Sequence, residues 1–181
     1  MAAPQQVEPV KRLVALLGRE EAACQRARRL LERQWGPLDF SGDAHPFDVT
    51  DYYTPEMGPG LQRRLLAFAR LMPPEQLREF KLACNDIERE LSRDGRRLVN
   101  LDAGYLDHSK LVLASMKFAG QKIHLGSGVW ADLILRWERG AWRPFPWSFP
   151  DFRDGRYQQE LSALRRLYLE QLRQQRREER C

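Results

Sequence analysis

Between Val129 and Trp137 the chain alternates strictly. Val129, Ala131, Leu133, Leu135 and Trp137 form one wholly apolar set, while Trp130, Asp132, Ile134 and Arg136 form a mixed one. A period of two with one apolar face is the signature of a half-buried strand. Gly126-Ser127-Gly128 stands just before it, and glycine supplies the positive φ that a tight hairpin connection demands. Three more strand-like runs lie upstream in the same block, Leu98 to Leu101, Lys110 to Met116 and Lys122 to Leu125, with Ala119-Gly120-Gln121 as a weaker turn signal. The block from Arg96 to Trp137 therefore predicts an antiparallel meander, with Asn100-Leu101-Asp102-Ala103-Gly104-Tyr105 linking its first two strands.

The flanking chain supplies more strands and most of the helices. Val10 to Gly18 reads as a buried strand, Arg19 to Gln34 as a helix stopped by Trp35-Gly36-Pro37, and Pro37 to Ser41 as a short strand, giving a βαβ-like opening. Gly18 stands alone, so this is not a dinucleotide-binding fingerprint. Phe47, Val49 and Asp51 alternate with Asp48, Thr50 and Tyr52, as in a strand ending among acids and tyrosines. Gly60 to Leu71 reads as a short helix. After Met72-Pro73-Pro74 an amphipathic helix extends toward Gly95, with Leu77, Phe80, Cys84, Ile87 and Leu91 on its stripe and Lys81 and Asn85 beside it. Gly140 to Tyr157 holds three prolines among Trp142, Phe145, Trp147, Phe149 and Phe152, which describes an ordered strap over the sheet or the mouth of a cleft. Tyr157 to Arg176 is the last helix. The expected fold is α+β, a single mixed, largely antiparallel sheet with helices packed mainly on one face. Residues 1–8 are expected to be disordered, 9–172 to form a single globular domain, and 173–181 to be a frayed basic tail.

At 181 residues the chain fits one domain, large enough to bury about 70% of its extended surface. No run approaches the ~20 apolar residues of a membrane span, so no membrane partner is expected. The start, MAAPQQVEPVKR, lacks the pattern of a signal peptide. Cys24, Cys84 and Cys181 are too scattered for a disulfide framework or a zinc spacing, which suits a reducing cytoplasm. The formal charge of +5 raises the question of a nucleic-acid partner. Much of the basic excess lies in or beside the last helix, interleaved with Glu170, Glu178 and Glu179, a pattern typical of a solvated helix face. No nucleic-acid recognition motif is visible, so an RNA- or ribosome-associated module using that helix stands as the alternative reading.

The lysines point to a candidate site. Arginine is the default cation, 25 residues against five lysines, yet Lys110, Lys117 and Lys122 fall within thirteen positions. An ammonium is a compact charge on a flexible stem where guanidinium binds as a planar fork, so a site can require the one and refuse the other. Solvated strand lysines that guard a sheet edge would give the same pattern. Lys122 and His124 share a strand face by parity; Lys110 and Lys117 do not. Asp102, Asp107, His108 and Asp132 are their local partners. Upstream, Asp48, Asp51 and Glu56 form the densest acidic group outside the helices. Paired carboxylates of this kind bind a divalent cation or act as acid and base, and equally they cap a following helix. No Ser-His-Asp, Cys-His or metal-ligand constellation involves His45, His108 or His124, so no reaction is assigned.

NLDAGYL followed by KLVLAS and a lysine, with FDVTDYYTPEMGPG upstream and FPDFR downstream, resembles a family of small bacterial proteins catalogued as domain of unknown function 4416. The resemblance covers nearly the whole chain. Its Asn-x-Asp-Pro-Gly-Tyr-Leu run matches Asn100, Asp102, Gly104, Tyr105 and Leu106, and Asp51 and Glu56 also fall in family-like positions. The chain departs at Ala103, where proline is usual, and at His124, where tyrosine is expected, which argues against shared chemistry at that histidine. The resemblance implies positions and not an activity. The functional expectation from the residues is a protein that binds, or transforms, an anionic small molecule such as a phosphorylated metabolite or nucleotide. Lys110, Lys117, Asn100, Tyr105 and Asp51 would bind it, and Asp102 or Glu56 would act as base or metal ligand. A non-catalytic interaction domain using the aromatic strap is the third reading.

Overall fold

The computed structural model describes residues 3, 5 and 7–178. The remaining positions of the expected disordered start (1, 2, 4 and 6) and of the expected frayed tail (179–181) lie outside the described residues. The elements in order are β1 (Lys11–Gly18), α1 (Glu21–Trp35), β2 (Leu38–Ser41), β3 (His45–Pro46), α2 (Thr54–Met57), β4 (Gln62–Phe68), α3 (Leu77–Glu90), β5 (Val99–Leu106), β6 (Lys110–Ser115), β7 (Ile123–Gly126), β8 (Val129–Glu138), β9 (Ala141–Pro144), α4 (Pro150–Arg153) and α5 (Gln158–Glu178). Among the described residues no helix is long and apolar enough to cross a membrane.

The strands form one sheet in the order β2-β4-β1-β5-β6-β8-β7, with β3 against β4 and β9 against β8. Every one of these pairings is antiparallel. β1 is an interior strand between β4 and β5, and all eight of its residues are buried. Its apolar run serves both faces: Val14 and Leu16 enter one core with α1 and α3, Leu13 and Ala15 the other with α4 and α5. Two of the three long helices thus share one face, and α5 covers the opposite one. The βαβ-like opening is present, since β1 and β2 both run antiparallel to β4 and therefore parallel to each other, but β4 lies between them. The hairpin at Gly126-Ser127-Gly128 joins β7 to β8 as expected, with positive φ at all three residues.

Three local expectations are corrected. The segment Gly60 to Leu71 is not a helix: its core is β4, paired with β1 on one side and with β2 and β3 on the other. Leu65, Leu66, Ala67 and Phe68 are consecutively buried there. A strand with apolar contacts on both faces loses its alternation, and a short apolar run cannot then be told from a helix by periodicity. Phe47 to Tyr52 is not a strand: after the Phe47 N–H bonds to Leu61 O at 2.8 Å the chain leaves the sheet and bends into α2. Finally, Asn100 to Tyr105 is not a link. All of it lies in β5, and the true connection to β6 is Asp107–Ser109, organised by the Asp107 carboxylate accepting from the backbone N–H groups of Ser109 (2.7 Å) and Lys110 (2.8 Å).

Candidate functional site

β5 keeps its register with β1 from Val99 to Leu106, but pairs with β6 only at Gly104, Tyr105 and Leu106. Gly104 marks the point of parting. A Cβ at that position would lie 2.5 Å from both the Val112 carbonyl oxygen and Leu113 Cδ2, so glycine is needed for the close approach of β6 and not for a turn. Beyond it the two strands diverge, and the sheet is split at its centre.

A split leaves strand-edge polar groups without partners, which is costly if they are buried. Here α3 satisfies them with charge. The Leu101 N–H donates to Glu88 Oε1 at 2.6 Å, and Lys81 Nζ donates to Leu101 O at 2.8 Å. Lys81 and Glu88 are only 5% and 6% exposed. Burial pushes the Glu88 carboxyl up from its ordinary value, against the opposing pull of Lys81 and Arg97. The gap is a cleft of about 470 Å³, within the ~300–1,000 Å³ of small-molecule sites. Phe47, Tyr52, Tyr53 and Phe149 contribute aromatic walls.

Three charged groupings line it. The first is fully internal: Arg63, 2% exposed, donates to Asp151 Oδ2 at 2.5 Å and to Asp102 Oδ2 at 3.1 Å, and lies 4.6 Å from the Phe47 ring centroid. Burial opposes its charge, but Asp102 and Asp151 outweigh that and hold the guanidinium more firmly protonated than usual. Tyr157 also donates to Asp151 Oδ2, at 3.0 Å. In the second, Arg97 forks onto Glu56 with two 2.7 Å bonds and donates to Asn100 Oδ1 at 2.9 Å and to Glu88 Oε2 at 3.3 Å. The hydrogen bonds from Arg97 pull the Glu56 carboxyl down. The third comes from the β6–β7 connection: Lys122 lies 3.5 Å from Asp132 and donates to Ser115 Oγ at 3.0 Å, while Lys117 Nζ sits 4.0 Å from the Tyr52 ring centroid and donates to that tyrosine's hydroxyl. Burial raises the Asp132 carboxyl, against the opposing effect of Lys122, and burial pushes the Tyr53 phenol up to about 12.

Of the residues expected from sequence, Asn100, Asp102 and Lys117 line this one cleft, and Glu56 abuts it through Arg97. Lys110 does not join them. It stands at the other end of β6, five residues or roughly 17 Å along the strand from Ser115, and pairs with Asp107. Tyr105 projects on the α1/α3 face and packs against that core. Asp51 is exposed and contributes a backbone carbonyl to the turn before α2. Asp48 is held by Arg156 at 3.1 Å. Among the described residues no group of three His, Cys, Asp or Glu side chains gathers as a metal ligand set would. Sequence reasoning missed Arg63, Glu88, Arg97 and Asp151. Arg63 was hidden by the helical reading of its segment, and Arg97 and Glu88 sit among charges that look solvated. The proline strap did carry a hint for Asp151, since an acid among buried aromatics needs a partner.

A second, smaller cavity of about 290 Å³ lies between α1 and the sheet, bordered by Arg19, Arg28, Arg29 and Arg64. Glu20, Glu32 and Glu21 lie within 4 Å of three of these arginines. Its Cys24 thiol is pushed by burial to about 11, which leaves it a weak nucleophile.

Fold and cleft together define an α+β protein whose antiparallel sheet divides around a charged, aromatic-walled hollow. The family model described as domain of unknown function (DUF4416) matches residues 8–168, and the chain belongs to that family. No curated protein and no solved structure is significantly similar to it.

Proposed function

We propose that the cleft between β5 and β6 binds an anionic small molecule, of the class of phosphorylated metabolites. The observation that carries this is the unequal pairing of its cations. Arg63, Lys81, Arg97 and Lys122 each have a carboxylate within 4 Å; Lys117, among the described residues, has none. Lys117 is exposed at the end of β6, beside the exposed ring of Tyr52. An ammonium placed beside a concave site without an internal counter-charge is free to pair with a ligand's anion. The paired cations hold the walls in place, which is the preorganisation that small-ligand affinity depends on. Asp102 and Glu88, carboxylates that line the same hollow, are the groups available for acid or base work.

The test is a thermal-shift screen of inorganic phosphate, sugar phosphates, nucleotides and dicarboxylates, with and without magnesium, on the natural protein and on Lys117→Met. A melting point raised by a phosphorylated compound in the natural protein, and not in the variant, supports the reading. Absence of any shift across the screen, or an equal shift in both proteins, refutes it. A shift produced by RNA alone, and lost on trimming the end of α5, would favour the arginine-rich helix instead.

A further inference from the structure

Exposed large apolar side chains converge on the opening of the cleft. Tyr52, Met116 and Phe149 are 59%, 43% and 38% exposed, and all three line it. They come from separate stretches of chain: the turn before α2, the residue after β6 and the strap before α4. Two more exposed apolar residues, Phe118 (71%) and Ile123 (70%), stand on the same β6–β7 stretch as Lys117. A lone exposed apolar residue needs no explanation, but several drawn from different segments to one concave site mark contact with an apolar partner. From Tyr52 the aromatic wall continues edge to face, with ring centroids 5.0 Å apart to Tyr53 and a further 5.8 Å to Phe47, both half-buried.

The charged side chains of the inner wall are already matched with one another: Arg63 with Asp102 and Asp151, Arg97 with Glu56 and Glu88, Lys81 with Glu88, and Lys122 with Asp132. What the cleft offers an occupant is therefore one cation without a counter-charge, Lys117, beside a bank of accessible apolar surface. Taken with the proposed anion-binding role, on which this step rests, we infer that the occupant is a small amphiphile with a single anionic head, an organic monophosphate whose body is an aryl ring or a short alkyl chain. Its phosphate pairs with Lys117, and its body lies against Tyr52, Met116 and Phe149. A second anionic group would find no unpaired cation among the described cleft residues, which sets bisphosphates and dicarboxylates aside. A sugar body would press hydroxyls against the apolar bank and lose their hydration without a partner in return. Each methylene buried there is instead worth up to about fourfold in affinity, so the length of the body becomes the quantity to vary.

The experiment is equilibrium titration of the full chain with ethyl, butyl, hexyl and phenyl phosphate, with ribose 5-phosphate, and with vesicles of phosphatidylcholine doped with phosphatidic acid. Affinity should rise roughly two- to fourfold per methylene from ethyl to butyl phosphate, and butyl and phenyl phosphate should each bind at least about tenfold more tightly than ribose 5-phosphate. Lys117→Met should weaken the whole series alike. Met116→Ser combined with Phe149→Ser, checked for an intact melting transition, should flatten it. Should that double variant not fold, the series on the natural protein still decides. Ribose 5-phosphate binding as tightly as butyl phosphate overturns the apolar body while leaving the anion site standing. An undiminished dependence on chain length in the double variant overturns the cleft opening as the seat of that body. Vesicles bound in preference to the soluble phosphates overturn the small amphiphile in favour of a lipid surface. Binding of none of these probes overturns both this inference and the reading beneath it.

Discussion

Replacing Arg63 by methionine tests the network on which the cleft is built. The side chain is 2% exposed and bridges Asp151, fully buried, and Asp102, whose side chain is 17% exposed. Methionine roughly fills the space, so a purely steric role predicts a loss below ~1.5 kcal/mol. If instead the guanidinium neutralises two carboxylates, its removal strands a buried charge at Asp151 with only Tyr157 to stabilise it, a loss of ~3–5 kcal/mol. For a chain of this length that is a fall in melting temperature of roughly 6–20 °C. Urea denaturation and calorimetry measure it directly. Adding Asp151→Asn to Arg63→Met removes the stranded charge and should recover part of the loss, with a coupling energy of ~0.5–3 kcal/mol. A loss within ~1.5 kcal/mol for Arg63→Met, or additive effects in the double variant, would refute the ion network as the cleft's internal support.

Other consequences are open to simpler measurements. Gly104→Ala drives a methyl group against the Val112 carbonyl at 2.5 Å and should cost ~1–3 kcal/mol by urea denaturation; an unchanged midpoint would show that β6 does not need the close approach. Glu56 has its carboxyl pulled below the ordinary value by Arg97, so the pair stabilises the fold above the unfolded carboxylate pKa of ~4.3, and this contribution disappears as the pH falls through the folded value. Since Glu56 is 37% exposed, Glu56→Gln should lower stability at neutral pH by less than ~1 kcal/mol, and the difference should vanish in acid. A difference that grows toward low pH contradicts the sign. The Cys84 thiol is raised by burial to about 12, so it should react with a thiol reagent only as fast as the protein opens; fast modification in the native state would place it elsewhere.

The sequence made β8, the opening helix and the two amphipathic helices legible because each has one apolar face and so writes its period into the chain, and it made β1 legible as an apolar run ended by Gly18 although that strand is buried on both faces. β4 was not legible, since pairing on both edges and burial on both faces erase the alternation that a strand otherwise shows. Asn100 to Tyr105 looked like a link because Asn, Asp and Gly favour turns; in β5 the same residues serve a different need. Asn100 and Asp102 point polar groups into the split, and Gly104 lets β6 approach. The lysine count drew attention to Lys117 and Lys122, which line the cleft, and to Lys110, which lies at the far end of β6, because counting along the chain ignores where a strand carries each residue. Arg97 and Glu88 belong to the site through contacts that join α2, α3 and β5, which no local pattern records.

The central claim is that the divided sheet holds a ligand, and backbone amide NMR of the labelled protein tests it most directly. On titration with phenyl phosphate the resonances of Asn100–Asp102, Ala114–Lys117 and Tyr52–Tyr53 should shift together along one saturating curve. Shifts scattered over the outer face of α5, or no shifts up to millimolar ligand, would contradict it.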